Sequence, residues 1–275
     1  MKYLVYHFKV NPIQPASDIL LAQLSELEFE SFEEHSNGLT AYVQEDKAPE
    51  NIDHIQILQH SDFDISWQIE TVEQKNWNKE WEKNFHPIAI DNSIYIRAPF
   101  HSPKEGFTHN VIIEPKMSFG TGHHETTHQM IQLIVEEDCE NKSVLDMGCG
   151  TGVLGIVASL NKAKEVDYID IDDWCVENTK ENLERNNCKG SVIKGGANSI
   201  QKKYQLILAN INRNVLLEDI PIYAQHLINN GDTLLLSGFY KSDLNLIKEA
   251  CQNNGLQYVK HYSKRDWVAC KFVKS

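Results

Sequence analysis

The residues best equipped for chemistry lie in the run Val144-Leu145-Asp146-Met147-Gly148-Cys149-Gly150-Thr151-Gly152. Ser143–Met147 reads as a buried strand and Val153–Leu160 as a helix, so the three glycines fall on a strand-to-helix turn. Glycine there permits tight turning and lets a ligand approach the backbone closely. About twenty positions on, Asp170 ends the next apolar stretch, placed to accept hydrogen bonds from ribose hydroxyls. Asp172 shares its strand face, because strand side chains alternate with period two; surface charge or helix capping is the plainer use for it. A ligand with a nucleoside part is the chemistry this set implies. A dinucleotide fits it less well. Its G-x-G-x-x-G fingerprint needs a third glycine for close helix–strand packing, whereas Gly148-x-Gly150-x-Gly152 is followed by Val153.

A second constellation, His124-Glu125-Thr126-Thr127-His128, matches the zinc-protease pattern H-E-x-x-H. Carried on one helix, its histidines would share a face and its glutamate could activate water. Gly120-Thr121-Gly122 directly before it instead starts the helix within the motif, and the two threonines are poor helix formers. Ile131 stands where a metzincin would have glycine. No metal is expected. Asn210, in Ala209-Asn210-Ile211, closes another apolar stretch and serves either as a turn residue or as a polar group facing the ligand.

Residues 3–10 read as a strand, followed by an amphipathic helix from Ala16 to about Glu30 with Ile19, Leu20, Leu24 and Leu27 inward and Ser17 or Asp18 as N-cap. Leu39–Gln44 is a strand, residues 50–60 hold a short helix, and Ile65–Val72 is a further strand. Such an order suggests a small ferredoxin-like α+β module. In the polar stretch 73–86, Trp77, Trp81 and Phe85 recur at i, i+4 and i+8, one face of a helix that either packs against a neighbouring domain or contacts substrate as a linker. Ile88–Ala98 and Asn110–Ile113 read as short strands. From Ser143 onward strands and helices alternate, which implies a mostly parallel α/β sheet covered on both faces. Gln257–His261 and Trp267–Phe272 lie too close for a helical crossover and must pair antiparallel. The expected organisation is therefore 1–73 as a recognition domain, 74–98 as a linker with a helix, and 99–275 as the α/β domain.

With 26 Lys+Arg against 39 Asp+Glu, the net charge of −13 argues against direct nucleic-acid binding, which needs phosphate neutralisation. An acidic surface favours a basic partner or simply keeps the chain soluble. Six scattered cysteines without a C-x-x-C pair fit reduced thiols. The first ten residues are interrupted by His7 and Lys9, unlike a signal peptide, and no apolar run approaches the roughly 18 residues of a membrane span. A cytoplasmic protein is expected.

The D-x-G-x-G-x-G turn resembles that of the class I methyltransferases that use S-adenosylmethionine (AdoMet). Ahead of it, Phe119-Gly120-Thr121-Gly122-His123-His124-Glu125-Thr126-Thr127 resembles the F-G-T-G-x-H-x-T-T segment of the ribosomal protein L11 methyltransferases, PrmA-type enzymes. Trp77-x3-Trp81-x3-Phe85-His86-Pro87, Ala209-Asn210-Ile211 and Trp267 resemble further parts of that family. The resemblance runs well over 74–275; residues 1–73 share only the expected shape. It implies a Rossmann-like seven-stranded sheet with its last strand antiparallel, behind a small N-terminal ferredoxin-like domain. It also implies that Gly148 and Gly150 cradle the cofactor's methionine part and Asp170 its ribose. Phe119, Gly120 and Thr127 would cover the cofactor, and Asn210 would lie at its methyl-bearing end, binding it and orienting the incoming amine as the catalytic residue. The implied activity is methylation of lysine ε-amines, and of the N-terminal amine, of the basic ribosomal protein L11; the alternative is an AdoMet-dependent methyltransferase for another protein or a small molecule. Two departures stand out: Asn212-Arg213-Asn214-Val215 replaces a small Gly/Pro-containing stretch, and Glu114-Pro115-Lys116 lacks a glycine.

Overall fold

Residues 2–73, 85–116 and 118–275 are described by a computed structural model of the chain. The expected Trp77 and Trp81 face lies outside them; Phe85 lies within. Contacts divide the chain into two compact units, Met1–Asn84 and Phe85–Ser275.

The first unit runs β1 (Lys2–Asn11), α1 (Ile13–Ser25), β2 (Ser31–His35), β3 (Gly38–Gln44), a 3-10 turn (Gln56–Gln59) and β4 (Asp64–Glu73). Its sheet order is β2-β3-β1-β4 with every neighbouring pair antiparallel, the ferredoxin-like split β-α-β order. The second helix of that pattern is reduced to the 3-10 turn, because the segment before it carries the turn formers Pro49, Asn51 and Asp53. Tyr6, Phe8 and Val10 of β1 and Leu39, Ala41 and Val43 of β3 supply the core at period two. Three expectations need correction. Helix α1 starts after Pro12 without a side-chain cap, so neither Ser17 nor Asp18 serves. Its buried stripe is Ala16, Leu20 and Leu24, at i, i+4 and i+8, which leaves Ile19 on the flank and exposed. Strand β2 was not anticipated, since Ser-Phe-Glu-Glu-His is a polar edge strand with little apolar alternation.

The second unit opens with a three-stranded sheet, β5 (Ile88–Ile90), β6 (Ile94–Arg97) and β7 (His109–Ile112), antiparallel then parallel. A turn with Asp91 at φ 47° divides the stretch 88–98 into two strands. Ile90, Ile94, Ile96 and Val111 from this sheet join the core that also contains Met130 and Ile134.

The main body follows as α2 (Glu125–Glu136), β8 (Ser143–Met147), α3 (Val153–Leu160), β9 (Glu165–Asp170), α4 (Asp173–Arg185), β10 (Ser191–Lys194), β11 (Leu206–Asn210), α5 (Arg213–His226), β12 (Thr233–Tyr240), α6 (Leu244–Asn253), β13 (Leu256–Lys264) and β14 (Trp267–Lys274). Seven strands pair in the order β10-β9-β8-β11-β12-β14-β13. The first five are parallel, and β14 is antiparallel to both β12 and β13, as the short β13–β14 connection requires. Strand order reverses beside β8, and in open α/β sheets ligands bind in the crevice outside the carboxyl ends at such a point. The strands there end in Met147, Asp170 and Asn210.

Candidate active site

Between β8 and α3 the glycine turn takes left-handed φ at Gly148 (64°), Gly150 (56°) and Gly152 (77°), a region that penalises any residue with a Cβ. Close approach excludes side chains independently. A Cβ on Gly150 would sit 2.3 Å from the Phe119 carbonyl oxygen, and one on Gly148 2.3 Å from Ile211 Cγ2. The turn is anchored to β9 through Gly148 N–H and Cys149 N–H, both donating to Ile169 O at 2.8 and 3.1 Å.

Two carboxylates hold this turn from beneath. Asp170 Oδ2 accepts from Gly150 N–H at 2.9 Å and Oδ1 from Asp172 N–H at 3.1 Å. A carboxylate has about four acceptor positions, so both oxygens keep capacity for a ligand hydroxyl. Asp146 is almost fully buried and accepts from Gly155 N–H at 2.8 Å, tying β8 to α3. Burial pushes its carboxyl up to about 7, the Gly155 bond opposes that, and the charge of Asp170 adds to it.

The segment 118–124 lies over the turn. Thr151 N–H donates to Phe119 O at 2.9 Å and Thr151 Oγ1 donates to Gly120 O at 2.7 Å. The loop's outer end is held by His123, whose Nε2 donates to His86 O at 2.9 Å while its ring meets Phe85 edge-on at 4.6 Å. Between this loop and the strand ends opens a cleft of about 430 Å³.

Five of the expected residues line that cleft together: Phe119, Gly148, Gly150, Asp170 and Asn210. Asn210 carries a buried Oδ1 with no hydrogen-bond partner among the described residues. A buried acceptor left unpaired costs about 1–3 kcal/mol, which a donor on a ligand would offset. Gly120 and Thr127 lie apart from the cleft lining. Gly120 lines an adjoining cavity of about 390 Å³ that shares Phe119 as a wall. Thr127 is fully buried within α2 and its hydroxyl also has no partner among the described residues.

The zinc-protease pattern fails on geometry. Helix α2 begins at Glu125, and His124 is its N-cap, accepting from Thr126 N–H. The His124 ring packs edge-on against Trp267 at 4.7 Å and Phe119 at 5.3 Å. Among the described residues the group able to gather around a metal is Asp170, Asp172 and Cys175, which includes neither histidine.

Known proteins resemble this chain over nearly its whole length. The family model described as Ribosomal protein L11 methyltransferase (PrmA) matches residues 15–275. A Phocaeicola vulgatus protein named ribosomal protein L11 methyltransferase is 41% identical over 99% of both chains. One of the same name from Bacteroides thetaiotaomicron is 42% identical over 99% of this chain and all of its own. The chain belongs to the ribosomal protein L11 methyltransferase (PrmA) family. A solved ribosomal protein L11 methylase from Lactobacillus delbrueckii subsp. bulgaricus superposes with TM-score 0.64 at 26% identity, covering 70% of this chain and all of its own. The chain is thus a methyltransferase, and its methyl donor is AdoMet. The cleft fits that molecule: its glycines exclude any Cβ, and Asn210 presents an unpaired acceptor.

Within this methyltransferase the departure at 212–214 has a structural job. Asn212 caps α5 by accepting from Val215 N–H at 3.2 Å, and Arg213 pairs with Asp243 at 2.9 Å. The helix cap is therefore Asn212, which frees Asn210 from that duty. Several lining residues were missed in sequence: Ile171, Trp174, Gly196, Val215 and Asp219. Ile171 (66% exposed) and Trp174 (58%) form an apolar wall suited to a flat ring. A signal existed in Asp170-Ile171-Asp172-Asp173-Trp174, where large apolar side chains sit among carboxylates.

Proposed function

We propose that this chain transfers methyl groups from AdoMet to lysine ε-amines, and to the N-terminal amine, of ribosomal protein L11. The observation that carries the reading is Asn210, an unpaired buried acceptor lining the cleft at the end of β11. In this reading Gly148 and Gly150 offer backbone to the methionine part of the donor, and Asp170 accepts from the ribose hydroxyls. Phe119 and Gly120 cover it, while Thr127, fully buried in α2, does not line the space it occupies. AdoMet supplies an electrophilic methyl carbon. The amine would form its bond to that carbon as the carbon–sulfur bond broke in line, the sulfur leaving as a neutral thioether, so the chain's work is chiefly positioning. The acceptor amine must be neutral, whereas a free lysine has a pKa of roughly 10.4. Desolvation against Phe119, Met147 and Ile211 would lower that value by disfavouring the ammonium, opposed by the carboxylates Asp170, Asp172 and Asp219 of the same cleft. Asn210 Oδ1 then accepts an N–H from the neutral amine and turns its lone pair toward the methyl carbon. No covalent intermediate with the chain is required.

Residues 1–73 recognise the substrate in this account, 74–98 form the linker that re-orients it for successive amines, and 99–275 carry the chemistry. Residues 1–73 hold three lysines, no arginine and fourteen carboxylates, so −11 of the chain's −13 lies there. That charge complements a basic ribosomal protein and speeds encounter with it. The names of the relatives specify the same substrate for those proteins. A cytoplasmic location, without membrane or direct nucleic-acid partners, accords with this; among the described residues no helix is long and apolar enough to cross a membrane. Incubation with purified L11 and methyl-labelled AdoMet tests the proposal. Label on L11 is expected, and its absence alongside demonstrable AdoMet binding would move the activity to another acceptor.

A further inference from the structure

The cavity beyond Phe119 shares Phe119 and Gly120 with the segment that covers AdoMet in the account above, while Glu125 and Arg265 of its wall have no part in holding the donor. Its lining includes Phe119, His124, Glu125 and Arg265, and Phe119 also lines the cleft. Glu125 is the carboxylate of this wall, with its side chain 15% exposed, and it pairs with Arg265 Nη1 at 2.9 Å. Arg265 sits at the β13–β14 hairpin with φ 54° and a side chain 80% exposed. An ion pair whose cation stands in water contributes little net stability, because solvent screens it and the long side chain loses freedom. Glu125 thus holds a cation that a better-placed one can replace.

We propose that this cavity is a substrate subsite for a cationic side chain, a lysine or arginine flanking the amine being methylated, which displaces Arg265 from Glu125. The inference rests on the protein-amine reading and names a contact of the same substrate. Three features of the cavity suit an ammonium or guanidinium on an alkyl stem. Glu125 gives a charge-assisted acceptor. The rings of Phe119 and His124, which meet edge-on with centroids 5.3 Å apart, give an aromatic lining. Phe119 lines both this cavity and the cleft, so the two positions adjoin one residue. Glu125 is also the first residue of α2, where an acidic side chain favours the helix N-terminus, so the test must separate a binding role from a helical one.

Displacement makes opposite predictions for the two partners. Glu125→Gln keeps shape and removes the charge; KM for L11 should rise roughly tenfold, the loss of one charge-assisted bond, with kcat and the Kd for AdoMet unchanged. Arg265→Ala removes the competitor and should lower KM or leave it level. Were the pair merely structural, both variants would shift together in KM and thermal midpoint. Calorimetric titration of the full chain with a lysine-rich peptide, without turnover, reads the same ordering if L11 proves not to be the acceptor. In either assay, Glu125→Gln matching the wild type, or Arg265→Ala weakening with it, overturns the subsite. Failure of the wild type to methylate L11 while the peptide ordering holds overturns only the choice of substrate.

Discussion

The first 73 residues of this methyltransferase and the rest of the chain treat charge in opposite ways. In residues 1–73 every carboxylate whose side chain is described is exposed, and −11 of net charge accumulates in fewer than a third of the residues. Residues 74–275 are near balance at −2, yet this part buries Asp146, Asp167 and Asp170. Exposed charge of one sign costs little locally and acts at a distance, through encounter with a partner. Buried charge is costly and acts at contact, by fixing backbone around a ligand. The difference teaches where to look for each property: recognition in a balance of residue types, chemistry in individual hydrogen bonds.

The largest effect expected from this contrast concerns Asp146. Its folded pKa lies above that of an unfolded carboxylate, so its contribution is intact below about pH 4 and is lost as pH climbs through about 7. A shift of roughly three units corresponds to about 4 kcal/mol at most. Asp146→Asn should therefore flatten the fall in thermal midpoint between those pH values, whereas neutralising exposed Glu50 should not; a parallel profile in both variants breaks the comparison. Gly150→Ala comes next. The new Cβ meets the Phe119 carbonyl at 2.3 Å in left-handed backbone, strain of about 2–3 kcal/mol that should weaken AdoMet binding roughly a hundredfold by calorimetry. Asp170→Ala should cost about 1–3 kcal/mol of AdoMet affinity; unchanged affinity with an intact fold would shift the ribose role to Asp172. Salt gives the smallest and most discriminating change. Raising ionic strength should increase KM for L11 severalfold while the Kd for AdoMet hardly moves, since screening acts on exposed charge. Equal salt dependence would remove the division of labour.

Much of this was legible in sequence because it rests on local rules. The glycine turn, Asp170 on the next strand and the antiparallel finish follow from spacing and connection length, and each appears where expected. The helix beginning inside His124–His128 follows from the glycines before it. What sequence could not give depends on packing between distant segments. Strand β2 is stabilised by its pairing with β3, not by its own composition. Trp174 and Gly196 reach the cleft only because α4 and the end of β10 converge beside Asp170, where Gly195 N–H donates to Asp170 O at 2.8 Å. Asn210 and Asn212 are the same residue type two positions apart, and only the folded structure separates the unpaired acceptor from the helix cap.

The most direct test of the central claim is mass spectrometry of L11 after incubation with AdoMet and either the wild type or Asn210→Ala. The account predicts methyl groups on amines of L11 with the wild type, and a rate lowered about tenfold, one hydrogen bond of ordinary strength, in a variant whose AdoMet affinity falls by less than that. Methylation at an undiminished rate by Asn210→Ala, or none by a wild type that binds AdoMet, would contradict it.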